Sequence, residues 1–332
     1  MTLESPSEST LGWLGYVGQA ARTIAISTVD GAHTAAVQGL LDEAVDIEED
    51  GLLVEDVRHA GEPARRVDAL AESGARRGHR QGIDTERDVL GARIKHFVYT
   101  SEESGTRTQI LPDRTLITRV DPLDGTTNSL NVLAGFCSEA TVDFHASRHT
   151  RAVHLAGAIV GGTIDVSWVN TQPRNRVTQR YARPSGAVYV RVPRLSPQWA
   201  RIPGLREDRQ TATVAAVASS KRRAEAVTRW VEAAFAHDGR AYNLGGNPIL
   251  PALLIGQIGC VVEPEHTKLH DAAFLIPFVL LGGTVTTWEG TPLDVLETYE
   301  QYAGDLDASR APIPPYVAYV ESALTPVDQA AS

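Results

Sequence analysis

The chain has 332 residues, 42% hydrophobic, 22% charged and only 6% aromatic, so it is long enough for two fused subdomains and too apolar to remain disordered. Lys+Arg 31 against Asp+Glu 41 leaves a formal charge of −10, which repels polyphosphate backbones and, with few rings for base stacking, sets nucleic acid aside as a partner. Cys137 and Cys260 are too few for a disulfide framework or a four-thiolate zinc site, suit a reducing compartment, and read as small buried hydrophobes. Residues 1–10 are polar, without a basic flank before an apolar run, and no apolar run reaches the roughly 18 residues of a membrane span. The expectation is a cytoplasmic protein with no membrane contact.

Residues 11–45 carry Ala, Leu, Val and Ile at helical spacing, interrupted near Asp30 and Gly31, and read as one or two amphipathic helices. From 46 to 81 an acidic run (Glu48, Glu49, Asp50) precedes a basic one (Arg76, Arg77, Arg80), and the stretch reads as a solvated excursion. Strand-like runs follow at 95–100, 114–120, 140–145, 155–168 and 187–192, separated by Gly, Pro, Asn and Asp, so the middle third is expected to be mostly sheet. Residues 193–209 show no period and read as a link, which sets a boundary near Pro197 and divides the chain into 1–196 and 197–332. Beyond it the pattern predicts a strand at 211–218, a helix at 221–236, a turn at Gly245 and Gly246, and a helix at 248–256. A strand ending at Val262, a helix at 272–281 and a strand at 284–288 complete the alternation.

The richest segment is Asp121-Pro122-Leu123-Asp124-Gly125-Thr126-Thr127-Asn128. Two carboxylates three apart at the end of a β-branched strand, with a Pro that blocks ladder pairing, can be aimed at one point by a sharp turn. Carboxylates and an exposed carbonyl such as that of Leu123 are the oxygen donors Mg²⁺ accepts, and the Gly-Thr-Thr that follows can start a helix whose free N–H groups face an anion. Taken alone, the string equally suits a plain Asx turn with a capping Asp or Thr. A second acidic pair, Glu102-Glu103, follows an apolar strand, where a bound cation or a solvated loop would each account for adjacent like charges. Asp88 opens a helical stretch as a further cation ligand or as a helix-start acid. No Ser/His/Asp or Cys/His nucleophile motif is visible.

Glu102-Glu103, then DPLDGTTN at 121–128, then His270-Asp271-Ala272-Ala273 followed by Gly282-Gly283, resemble the inositol monophosphatase family of Mg²⁺-dependent, lithium-sensitive sugar-phosphate phosphatases, from about residue 84 to a final strand at 316–321. The resemblance implies a layered αβαβα sandwich (mixed α/β), a homodimer, and an active site between the two halves. It implies that Glu102, Asp121, the Leu123 carbonyl and Asp124 hold two or three Mg²⁺, with Asp88 assisting a weaker ion. Thr126 would position the attacking water with Glu102, and the N–H groups of Gly125 and Thr126, beside Thr127, would hold phosphate oxygens.

The last metal ligand stays open between two neighbours: without gaps His270 falls on the family's metal-binding Asp, and a slip of one residue puts Asp271 there. An imidazole suits softer ions than Mg²⁺. Residues 46–81 also depart from the compact Lys-containing hairpin of the family, so the flap over the metals is expected to be remodelled. The Thr127-Asn128 pair resembles inositol, histidinol or sugar monophosphatases rather than nucleotidases with Lys-Glu there. Asn247 and Glu263 lie where the family recognises the leaving alcohol, and Glu263 equally suits a solvated strand end. Arg191, Arg194, Arg240 and His266 are candidates for a second phosphate, or loose surface cations. The expected activity is hydrolysis of a small phosphorylated polyol, cyclitol or sugar. The rivals are a fructose bisphosphatase or bisphosphate nucleotidase, and a repurposed scaffold that binds a phosphorylated metabolite.

Overall fold

A computed structural model of the chain describes residues 8–41, 63–101, 111–124, 136–147, 150–161, 164–171, 186–205, 213–216, 225–230, 240–243, 247–306 and 311–320. Helix α1 (Glu8–Leu41) runs without a break past Gly31, and α2 (Pro63–Thr85) packs along it. Two expectations are corrected here. Gly31 is a contact rather than an interruption, and residues 63–81 are helical rather than a solvated excursion; 42–62 lie outside the described residues.

The reason is a row of small residues. Gly74, Gly78 and Gly82 recur every four residues along one face of α2, so the α1 backbone can lie directly against them. A β-carbon at Gly74 would collide with the Gly31 carbonyl, and one at Gly78 with the Ser27 carbonyl. Gly78→Leu is therefore expected to destabilise the fold by about 3 kcal/mol, the upper end for overpacking, as read by urea unfolding.

The first sheet has seven strands in chain order. These are β1 (His96–Ser101), β2 (Thr115–Asp124), β3 (Cys137–His145), β4 (Val153–Val160), β5 (Asp165–Asn170), β6 (Gly186–Val192) and β7 (Ser196–Ile202). β1 and β2 are parallel, and every later pair is antiparallel. The run expected at 155–168 divides into β4 and β5, turning at Gly161, whose φ of 156° few other residues adopt. The link expected at 193–209 holds β7, so Pro197 sits inside a strand and the first sheet continues to Ile202. A Pro is tolerated there because β7 is the edge.

The second sheet joins β8 (Thr213–Ala216), β9 (Arg240–Asn243), β10 (Cys260–Glu263), β11 (Thr284–Thr287) and β12 (Tyr316–Tyr319) in the order β11-β12-β10-β8-β9. Between the sheets lie α4 (Leu250–Leu254), α5 (Leu275–Leu280) and α6 (Val295–Tyr302), whose apolar residues share one core with Val166 and Trp168 of β5 and Val261 of β10. A short helix α3 (Arg87–Leu90) links α2 to β1. Helical residues 225–230 cover the far face of the second sheet through Val227 and Trp230. The layers run helix, sheet, helix, sheet, helix, the expected αβαβα sandwich. Among the described residues no helix is long and apolar enough to cross a membrane.

Strand alternation in β3 separates two environments. Ala140, Val142 and Phe144 pack under α1. Glu139, Thr141 and Asp143, also buried, take the opposite face toward the middle layer. There Thr141 bonds Tyr299 of α6, and Asp143 Oδ1 meets His154 Nδ1 at 2.8 Å. Trp168 donates its indole N–H to His154 Nε2 at 2.9 Å, which assigns the proton facing Asp143 to Nδ1.

On the helix side, buried His79 of α2 meets Thr118 of β2 at 3.0 Å. Burial, with Arg76 and Arg80 nearby, lowers its pKa from 6.5 to about 4. Between those values the unfolded chain binds a proton that the folded ring refuses, so stability falls as pH drops from 6.5 to about 4, by about 3 kcal/mol in all. His79→Gln is expected to flatten that part of the urea-unfolding profile between pH 7.5 and 4.5.

Candidate metal centre

At its carboxyl end β2 stops pairing regularly. The β2–β3 register shifts between Asp121 and Asp124, across Pro122, which has no N–H for the ladder. The Pro122 carbonyl accepts from Ser138 Oγ at 2.7 Å, and the Leu123 N–H donates to Asp121 Oδ1 at 3.1 Å. The Asx turn read from the sequence is thus formed, and it sits within a larger constellation. Asp121 pairs with Glu139, and Asp124 pairs with Cys137. The Leu123 side chain packs with Ala36, Val67 and Ala71, which anchors the bulge to α1 and α2.

The other half of the site comes from the middle layer. One ligand atom from each of Asp121, His270 and Asp271 lies within 4.8 Å of the others. His270 is buried, and its Nε2 stands 3.4 Å from Asp271 Oδ1. The choice between the two neighbours does not arise in this geometry, because both share the group with Asp121.

Asn247, fully buried, ties the halves together. Its backbone N–H donates to Asp124 Oδ2 at 2.7 Å, its Nδ2 donates to the His270 carbonyl at 2.7 Å, and its Oδ1 accepts from Phe274 N–H at 3.0 Å. The side chain expected to meet the leaving alcohol spends its amide inside the protein. This positioning role was not evident in the sequence; a Gly-Gly-Asn-Pro turn was the sole hint.

The electrostatics are those of an acid-rich pocket with little built-in compensation. Burial, then the charge of Asp271, raises the Asp124 pKa to about 6 against the opposing bonds of Asn247 and the charge of His270. Glu139 is fully buried, and neither carboxylate oxygen has a hydrogen-bond partner. Burial, Asp124, Asp271 and Asp143 hold its pKa well above the carboxylate range, with Arg119 opposing. The Arg119 Nη2 donates instead to the carbonyls of Ala303 and Asp305, at 3.1 and 2.7 Å. Cys137 is buried and free, and burial with the charges of Asp124, Asp121 and Glu139 pushes its thiol far up, so it adds no negative charge.

The remaining expectations place as follows. Glu102, Glu103, Gly125, Thr126, Thr127 and Asn128 lie outside the described residues. Ser101, the last residue of β1, pairs with Val120, the neighbour of Asp121. Asp88 is exposed on α3 and is not part of the group formed by Asp121, His270 and Asp271. Glu263 is buried rather than solvated, with Oε1 accepting from Glu265 N–H at 2.9 Å. Arg191 is committed to Asp30 and Asp165, at 2.6 and 2.7 Å, and stacks on Trp199.

Neither a protein-family model nor a curated protein matches the sequence. Solved structures do. CysQ from Bacteroides thetaiotaomicron, a bacterial member of the inositol monophosphatase family, superposes with a TM-score of 0.54 at 14% identity, over 90% of this chain and 96% of that one. The extragenic suppressor protein SuhB from Bartonella henselae gives 0.51 at 16% identity, over 93% of this chain and 100% of that one. The chain has the inositol monophosphatase fold.

A divalent cation fits the residues present. Two carboxylates and an imidazole converge beside the carboxyl of Asp124, a donor set suited to Mg²⁺ or to a borderline ion such as Mn²⁺.

Proposed function

We propose that this chain is a member of the inositol monophosphatase family and a divalent-cation-dependent phosphatase that hydrolyses a phosphate monoester of a small polyol, cyclitol or sugar by direct water attack. The observation that carries this reading is the convergence of Asp121, His270 and Asp271, 149 residues apart in sequence at the nearest, within 4.8 Å at the end of β2. When bound, two or three Mg²⁺ ions would neutralise the phosphate dianion, activate the attacking water and stabilise the departing alkoxide. The chain's own groups have separate tasks. Asp121, Asp124, Asp271, the Leu123 carbonyl and Glu102 gather the cations, and Asn247 holds Asp124 and His270 in register. Thr126 and Glu102 orient the attacking water, and the N–H groups of Gly125 and Thr126 hold the phosphate. The roles of Glu102, Thr126 and Gly125 rest on the family resemblance alone.

His270 inside the group favours a second reading on one point, the identity of the ion: Mn²⁺ accepts an imidazole more readily than Mg²⁺ does. A bisphosphatase needs a second cationic pocket, and the commitment of Arg191 to two carboxylates argues against that rival. A homodimer, on the resemblance alone, and a cytoplasmic location, on the two free cysteines, complete the proposal, and sedimentation tests the dimer. The deciding assay is phosphate release from a panel of inositol, polyol and sugar monophosphates with Mg²⁺, Mn²⁺ or EDTA. Turnover of at least one monoester, abolished by EDTA, is expected; no turnover of any member by metal-loaded protein would reject the substrate class.

A further inference from the structure

β3 carries an acid that the resemblance assigns to nothing. Glu139 lies directly across the ladder from Asp121, and opposite residues of an antiparallel pair project from the same face, with β-carbons about 5 Å apart. Asp121 therefore shares the middle-layer side with Glu139. The charges of Asp124 and Asp271 both act on the Glu139 carboxyl, in keeping with its place across the ladder from Asp121.

Its condition differs from that of its neighbours on the strand. Thr141 has Tyr299, and Asp143 has His154. Glu139 has 0% exposure and, among the described residues, no hydrogen bond at either oxygen. Arg119, the cation that opposes the surrounding acids, directs its Nη2 to two backbone carbonyls, and its Nε is buried without a partner. A buried acid without hydrogen bonds is costly to keep. Burial pairs such groups with opposite charge or with metal, and an ion arriving at Asp121 and Asp124 would supply what this one lacks.

We propose that Glu139 is an additional carboxylate of the metal centre, bonding a hard or borderline dication directly or through one water of its shell. The proposal rests on the reading of Asp121, His270 and Asp271 as metal ligands, and the test separates the two. Mg²⁺ and Mn²⁺ affinities are measured by calorimetry on the wild-type chain, Asp121→Asn and Glu139→Gln, alongside metal-free melting temperatures. Glu139→Gln should bind both ions at least 10-fold more weakly, while its metal-free melting temperature is unchanged or higher, because an uncompensated acid has become a neutral amide.

Wild-type affinity in Glu139→Gln, with Asp121→Asn impaired, would overturn this inference and leave the metal centre standing. Failure of the wild-type chain to bind either ion would overturn both. If Glu139→Gln does not fold, wild-type crystals soaked in MnCl₂ decide: anomalous density within reach of one water from Glu139 supports the assignment, and density beyond that reach refutes it.

Discussion

Asp121→Asn should abolish the rise in melting temperature on adding Mg²⁺ or Mn²⁺ and cut phosphate release by at least about 100-fold, more than loss of a group that merely supports a ligand. The fold should survive. Asn retains an oxygen able to accept the Leu123 N–H, now held by Asp121 Oδ1 at 3.1 Å, so the bulge that aims Asp124 remains. What disappears is one negative charge from a group whose ligand atoms lie within 4.8 Å of one another. In the metal-free protein that loss relieves repulsion, so the melting temperature should hold or rise. Calorimetry and a phosphate-release assay on the same preparation check the result. A variant that binds metal as tightly as the wild type would remove Asp121 from the ligand set.

Asn247→Ala is expected to act through a different route with a comparably large effect. It strands the Phe274 N–H, now bonded by the Asn247 amide in the interior, and removes one of the two donors to the His270 carbonyl, which keeps the Ala273 N–H. The unsatisfied buried N–H costs about 1–3 kcal/mol, and the lost bond to His270 and the cavity add to this, for a total of about 4 kcal/mol. At this chain length that corresponds to a melting point lower by about 6 °C. Because the same amide holds the backbone of His270, next to Asp271, metal affinity should fall with stability. A direct substrate contact would instead raise KM at an unchanged melting point, so the two readouts together distinguish positioning from substrate binding.

The acidic corner was legible because chemistry and turn formation both write themselves into DPLDG: a Pro that cannot pair, two acids three apart, a Gly to release the chain. Most strands were legible for the same local reason, alternation bounded by turn formers. The helix α2 was not. Its apolar stripe is short, Val67, Leu70, Ala71 and Ala75, and the contact with α1 runs through Gly74, Gly78 and Gly82, residues with no side chain to read, while Arg76, Arg77 and Arg80 dominate the text. The edge strand β7 was hidden by Pro197 and its exposed polar residues. The helix α6 announced itself only by its cap, Asp294 accepting the Glu297 N–H, a signal that stands out once the helix is known. Glu139 and Asp143 were hardest, since an acid alternating with apolar residues reads as a solvent face until a further layer is seen to cover it. His270 and Asp271 posed a choice on paper that dissolved in space, because a turn can present adjacent side chains to one point.

The two-faced character of β3 has a consequence for folding fidelity. A slip of one residue against β2 or β4 would drive Glu139, Thr141 and Asp143 beneath the oily side of α1 and expel Ala140, Val142 and Phe144 into the polar layer. Each acid misplaced in this way, severed from His154 or from the pocket, would cost several kcal/mol. The strand thus proofreads its own alignment, and the charges that serve the site also veto the nearest wrong pairing.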